Sequence, residues 1–317
     1  MNDTEKAVLT QKIGDTLIKE GFSIYGFAPA LTHPEDTAHL NTWIDRGRHG
    51  GLGYLVRNRD KIGDITAMVE HASSVIMAGL PYRRNNNEET ESGFFISRYA
   101  QVKDYHLVIT TKLKRIARLI GKEVPGSVSR VFCDTSSVTE KEWAIRAGLG
   151  WRGKHSIIIN EDIGSFFFLG GLVTTVPLVY NRTQTADRCG TCRRCIDACP
   201  TGAICSDRTI DVKRCIAYMT IEKFEDIPDW FGGKIENMIY GCDRCQEVCP
   251  WNSGPADSID EELEASFDVN GITREQWLTM TNDEFDNIFA TSAMKFAGLE
   301  KIRKTIDFIE SKSPEKR

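Results

Sequence analysis

Apolar residues recur at Val8, Ile13, Leu17 and Ile18 within residues 4–20, and Gly21 follows as a stop. That spacing predicts an amphipathic helix. The run FSIYGFA at 22–28 reads as a strand, and residues 37–47 read as a second helix. SVIMAGLPY at 74–82 is almost unbroken in its apolar character, as in a strand buried on both faces. RRNNNEETESG at 83–93 is a polar loop, 104–121 a helix with basic residues on one side, and SRVFC at 129–133 a strand. Ser137 followed by Glu140 reads as a capping box that opens a helix running to about Ala147. SIIIN at 156–160, FFFLG at 166–170 and LVTTVPLVY at 172–180 read as three successive strands, the last two joined at Gly170-Gly171. The fold class expected is α+β, with a mixed helix and sheet core over residues 1–180. A separate module at 181–255 and a C-terminal helical segment at 256–317, packing back on the core, complete the expected organisation.

Composition adds exclusions. The 317 residues are 41% hydrophobic and 27% charged, with a formal net charge of -5. That balance excludes wholesale disorder. The N-terminus lacks a basic stretch followed by an apolar one, so no secretory signal is read and a cytoplasmic location is expected. The uncharged run from Ile163 to Asn181 raises the question of a membrane span, but its glycines, threonines and Pro177 fit strands better. No membrane partner is expected. Nothing suggests an obligate assembly, so a monomer is expected. Between Asp257 and Phe289 lie ten acidic residues and one basic one, Arg274. This reads as a solvated acidic flank and leaves the rest of the chain net positive.

The cysteines carry the strongest chemical signal. Of ten, only Cys133 precedes Cys189; the other nine lie between Cys189 and Cys249. Cys189, Cys192, Cys195 and Cys199-Pro200 spell C-x2-C-x2-C-x3-C-P, the bacterial ferredoxin run, in which the fourth cysteine serves a second cluster. Cys242, Cys245 and Cys249-Pro250 repeat the end of that run with one cysteine fewer, and Cys215 is the natural replacement. The pattern thus assigns Cys189, Cys192, Cys195 and Cys249 to one [4Fe-4S] cluster, and Cys199, Cys215, Cys242 and Cys245 to another. Zinc is the competing reading, but zinc ribbons call for two spaced C-x2-C pairs rather than three cysteines in a row closed by Cys-Pro. Cys205 and Cys133 are left over, as packing thiols. Gly148-Leu149-Gly150-Trp151-Arg152-Gly153 spells GxGxxG but follows a helix, so no dinucleotide cradle is expected there.

Several blocks resemble a known family. Asp134 to Glu140 (DTSSVTE), Arg146 to His155 (RAGLGWRGKH), Ser97-Arg-Tyr-Ala, Asp104-Tyr-His106 and the cysteine runs ending in Cys249-Pro-Trp-Asn252 are together similar to the epoxyqueuosine reductases. The resemblance spans about residues 10–310. It departs from many members at Ser137, where they carry proline. It implies a cobalamin cofactor beside two [4Fe-4S] clusters, and reduction of epoxyqueuosine to queuosine at the wobble position of tRNA. An external electron donor is implied as well. The proton donor would be Asp134, and burial against a corrin is expected to raise its pKa. The resemblance sets Arg57, Ser97, Ile158 and Leu169 near the corrin, and puts Tyr105, His106, Lys154 and His155 in the matching blocks. Asp243, next to a cluster cysteine, would approach the corrin edge. Lys213 and Arg214 are candidate contacts to tRNA phosphates, with ordinary surface charge as the alternative. Tyr218, Trp230 and Phe231 are candidate stacking residues, with core packing as theirs. Two other functions compete: reductive dehalogenation of a small molecule on the same cofactors, and plain electron transfer by a two-cluster carrier.

Overall fold

The computed structural model describes residues 1–83, 90–134, 138–181, 186–222, 226–254, 258–265 and 267–312. Helix α1 (Asp3–Lys19) is opened by an Asn2–Glu5 capping box and leads into β1 (Ile24–Pro29). Helices α2 (Pro34–Asp45), α3 (Gly53–Arg57) and α4 (Arg59–Ile62) precede β2 (Ser74–Arg83). The short β3 (Phe95–Ile96), then α5 (Tyr105–Glu123), β4 (Ser129–Phe132) and α6 (Glu140–Arg146) follow. Two further short strands, β5 (Trp151–Arg152) and β6 (Ile158–Ile159), precede the long β7 (Phe167–Thr174).

The main sheet runs β1-β2-β7-β4 with every neighbouring pair antiparallel. Side chains alternate across a strand, and β2 shows the consequence. Ile76, Ala78 and Leu80 pack with Ile13 and Leu17 of α1 and Ile109, Leu113 and Ile116 of α5. Val75 and Met77 join Trp143 and Ala144 of α6 on the opposite face. Burial on both faces is why 74–82 reads as one apolar run.

The stretch after Ile163 corrects the expectation of two strands meeting at Gly170-Gly171. Strand β7 passes through both glycines without a break, opposite Ala78 and Met77 of β2. A Cβ on Gly170 would collide with Ile109 of α5, and one on Gly171 with the Phe132 ring. The glycines mark close packing on the two faces, not a turn. The expected strand at 172–180 ends at Thr174; beyond it Ser74 Oγ donates to the Val176 carbonyl at 2.7 Å and accepts from the Leu178 N–H at 3.1 Å. Pro177 has no N–H to offer a sheet ladder. SIIIN likewise shrinks to β6, paired with β5 outside the main sheet. Ser137 lies outside the described residues. The helix it was expected to cap begins at Glu140, with Thr139 as N-cap and no side-chain cap bond. Glu140 is used elsewhere, as shown below. Among the described residues no helix is long and apolar enough to cross a membrane.

The cysteine-rich region contributes α7 (Arg194–Ala198), α8 (Ile216–Ile221), β8 (Met238–Tyr240) and α9 (Arg244–Glu247). It is tied to the first part of the chain by β8, which pairs in parallel with β3. Strand β9 (Ser258–Ile259) extends the main sheet by pairing with the end of β2. Helices α10 (Arg274–Thr279), α11 (Asn282–Ile288) and α12 (Gly298–Lys312) then form a core of their own with Phe94, Ile96, Ile239 and Tyr240.

Candidate active site

Between the sheet and the cysteine-rich region lies a cavity of about 810 Å³, large for a small-molecule site. Its wall takes Leu40, Trp43, Tyr54 and Leu55 from the segment α2–α4, and Phe167, Phe168 and Leu169 from β7. Asp134, Glu140 and Lys141 bring ionisable groups, while Val212, Cys215 and Tyr218 come from the cysteine-rich region. The cavity therefore touches both the acidic block and one of the expected cluster ligands.

The acid wall is assembled from two elements. Asp104 caps α5, accepting the His106 N–H at 2.9 Å, and so fixes the first turn. The same carboxylate oxygen lies 2.7 Å from Nδ1 of His106, whose Nε2 lies 3.3 Å from Oδ2 of Asp134. Tyr105 stacks between His106 (4.0 Å) and Phe168 (4.2 Å), and its hydroxyl donates to Asp134 Oδ2 at 3.1 Å. Asp134 follows β4 with a left-handed backbone, φ +55°, a conformation that Asp tolerates better than most residues. Its side chain is 65% exposed, because it faces the cavity rather than bulk packing.

These contacts oppose the rise that burial against a corrin would give the pKa of Asp134. The hydrogen bond from His106 outweighs burial and holds the carboxyl below its usual value, helped by the His106 charge and by Tyr105. The elevated carboxyl is its neighbour. Burial, then the charge of Asp134, push Glu140 up to about 8. One Glu140 oxygen accepts the Asp134 backbone N–H at 2.5 Å, so the residue expected to cap a helix instead holds the Asp134 loop. Burial would lower His106, but the bonds to Asp104 and Asp134 carry it to about 9. Burial pushes the Cys133 thiol far up, as befits a packing residue.

The other expected site residues separate into groups. Ile158 and Leu169 line the cavity with Asp134. Ser97 and Asp243 are buried and joined, Ser97 Oγ donating to Asp243 Oδ1 at 2.5 Å, with the Arg98 N–H on the other oxygen at 2.9 Å. They stand beside the cavity residue Tyr99, not in the wall itself. His155 is buried, with Nδ1 accepting the Ile157 N–H at 3.2 Å and Nε2 lacking a partner. Burial, then Lys141, lower it to about 4, so the ring is neutral. Lys154 braces the first cysteine loop, donating to the carbonyls of Gly190 and Cys192, both at 2.7 Å. Arg57 is exposed at the end of α3 and outside the cavity wall. Lys213 and Arg214 are exposed on the turn just before Cys215. Arg214 donates to the Thr201 carbonyl at 2.9 Å and lies 5.7 Å over Trp230. Phe231 is fully buried and Tyr218 nearly so, its hydroxyl accepting the Gly51 N–H at 2.5 Å. Lys141, Tyr54 and Trp43 were not singled out from sequence; nothing marks them there beyond ordinary helix patterning.

The thiols fall into two neighbourhoods. Cys249 is raised by burial and then by Cys189, Cys195 and Cys192. Cys242 is pushed up to about 12, by burial foremost and then by Cys215, Asp243 and Cys199, against an easing bond from the Arg244 N–H. Cys245 feels burial, Cys215 and Cys242 before it feels Cys195 of the other group. Cys205 enters neither set. Among the described residues no three His, Cys, Asp or Glu side chains are grouped for a single ion. A cube that takes one thiolate at each iron corner holds its ligands farther apart than one ion does.

Cavity and cysteine region together define a two-cluster iron–sulfur oxidoreductase. Residues 188–252 match the family model described as a 4Fe-4S double cluster binding domain. Residues 63–135 match that of epoxyqueuosine reductase QueG. The epoxyqueuosine reductase of Cyclobacterium marinum is 40% identical over 305 residues, covering 96% of this chain and 97% of the relative. The chain belongs to the epoxyqueuosine reductase family. A crystal structure of an epoxyqueuosine reductase with an epoxyqueuosine-modified tRNA-Tyr stem loop aligns at a TM-score of 0.87 and 27% identity, covering 94% of this chain and 80% of that one. A reductive dehalogenase described as B12-dependent shares the fold more distantly, with a TM-score of 0.52 and 16% identity over 95% of this chain and 38% of its own.

Proposed function

We propose that the protein reduces epoxyqueuosine to queuosine in tRNA, with a cobalamin in the cavity and two [4Fe-4S] clusters beside it. The observation that carries this reading is a single cavity walled by Asp134 on one side and Cys215 on the other. A proton source and an electron entry point thereby address one space. Replacing an epoxide by an alkene takes two electrons and two protons and releases water, and side chains alone cannot supply the electrons.

The residues present fit a corrinoid. The cavity is large and mostly aromatic or aliphatic in its lining, and a lining hydroxyl, Thr139 Oγ1, is buried without a partner. His155 Nε2, two residues from the wall at Ile157, is likewise unpartnered. A ring edged with amide side chains would answer such groups. Ile158 and Leu169 would contact its face, with Ser97, Asp243 and His155 next in reach. When bound, the cofactor supplies a strongly reducing cobalt centre. The protein's part is to exclude water with the aromatic wall, hold the epoxide against that centre, and let Asp134 protonate the departing oxygen. Cys189, Cys192, Cys195 and Cys249 would hold one cluster; Cys199, Cys215, Cys242 and Cys245 would hold the other, nearer the cavity. Exposed Lys213 and Arg214 would meet phosphates of the anticodon arm, whose modified base must leave its stack to enter. An external donor would recharge the clusters.

Anaerobic reconstitution with iron, sulfide and cobalamin, followed by assay on tRNA bearing the epoxide, tests the reading. Conversion to the alkene with bound corrinoid is expected. A protein that takes up zinc in place of clusters, or no corrinoid under reducing conditions, would overturn it.

A further inference from the structure

An acid held below its usual pKa is a poor resting store of protons, so Asp134 needs a supply. We propose that His106, clamped by Asp104, is the proton store that recharges Asp134. The inference rests on the function proposed above and deepens it. Its basis is geometric. Each imidazole nitrogen faces a carboxylate oxygen, Asp104 at 2.7 Å and Asp134 at 3.3 Å. A neutral ring carries one N–H and could donate to only one of them; the imidazolium donates to both. Tyr105 stacked at 4.0 Å fixes the ring plane, and the Asp104 cap fixes the turn that carries it. The ring is 28% exposed, enough to regain a proton from solvent.

Among the described residues, Glu140 and Lys141 approach the relay from α6, Tyr54, Cys133 and Glu222 interact with Asp134, and Cys133 and Tyr240 interact with Asp104. Glu140 accepts from the Asp134 backbone, not from its carboxylate, so it positions the loop without sharing the relay. The bond from His106 Nε2 to its proton breaks as Asp134 Oδ2 takes that proton. Asp134 in turn passes a proton to the oxygen whose C–O bond is breaking. The two C–O bonds of the epoxide break in turn, each electron pair staying with oxygen, and the two electrons supplied by the reduced enzyme become the π bond of the new alkene. A second passage of the relay supplies the second proton, and the oxygen departs as water. A developing alkoxide is far more basic than either group, so the carboxylate need not hold the proton at rest. Because the store must be protonated, turnover falls as pH rises through about 9.

The test combines titration with kinetics on the reconstituted protein. The chain has six histidines, and the imidazole NMR signal lost in His106→Gln identifies this one. We expect it to titrate near 9 in the wild type and lower in Asp104→Asn. Titration at or below the ordinary value of about 6.5 would overturn the clamp. His106→Gln should lower kcat at neutral pH by roughly 10²-fold, leave KM for the tRNA unchanged, and abolish the alkaline limb. Asp104→Asn, which keeps the imidazole, should move that limb to lower pH. Wild-type kcat and pH profile in His106→Gln would overturn the relay. A wild type that binds both cofactor types yet leaves the epoxide intact would instead defeat the proposed function, while the titration still decides the clamp.

Discussion

The two sides of the cavity are built on opposite plans. On the electron side, cysteines recur at spacings of three and four residues and their loops bring them together locally. On the side proposed to handle protons, Asp104 and His106 open α5, Asp134 follows β4, and Glu140 begins α6. Metal ligation depends on ligand type and short loop geometry. Proton handling depends on pKa, which neighbours set, and those neighbours arrive only when the chain folds. The two sides should therefore fail differently when single residues are changed.

The largest effect is expected on the electron side. Cys245→Ser should lower bound iron by about half, since each cube holds about four irons, and should abolish turnover. Cys205→Ser, outside both thiol neighbourhoods, should leave iron content unchanged. Equal iron loss in the two variants would break the division of ligands. Asp134→Asn should act on the other side alone. It should lower kcat by roughly 10²–10⁴-fold with iron content and corrinoid uptake intact. Iron loss in that variant would mean that the two sides are not separable.

The sequence made this asymmetry visible before the fold did. Seven of the cysteines fall into two runs by spacing, because a cluster loop is short enough to be legible in one stretch of chain, and Cys215 enters only as the replacement for the one the second run lacks. The strand at 74–82 was legible for a similar reason: continuous apolar character survives without knowledge of partners. Asp134 is legible in the sequence, but the hydrogen bond that opposes the expected rise in its pKa is not, because His106 lies 28 residues away in the chain. Glu140 was assigned to helix capping, a reasonable local role, yet its carboxylate turns back to the Asp134 N–H at 2.5 Å. The glycine pair misled for the opposite reason. Gly-Gly is a turn signal locally, and only the approach of α5 and Phe132 reveals it as packing.

That packing can be tested at intermediate scale. Gly171→Ala places a methyl against Phe132 and Met77, both buried within the sheet core, where neither can yield cheaply. Overpacking of this kind costs roughly 1–3 kcal/mol. The urea midpoint should fall without loss of the cysteine ligands. An unchanged midpoint would show that the β4–β7 contact is loose, and with it the wall that carries Asp134.

The smallest effect concerns the surface that joins the two sides to a common substrate. Lys213 and Arg214 sit on the turn that delivers Cys215 to the cavity wall, so an RNA held there would reach across the cluster side toward the acid. Arg214 is a poor probe, because its bond to Thr201 and its place over Trp230 also brace the cysteine region. Lys213 is exposed and is the cleaner one. Lys213→Glu should weaken tRNA binding several-fold at low salt, and flatten the logarithmic salt dependence by about 0.7–0.9 for one lost phosphate contact. It should leave iron content and the alkaline limb of kcat where they were. Affinity that is unchanged at both low and moderate salt would remove this turn from the tRNA path while leaving the proton and electron sides as they stand.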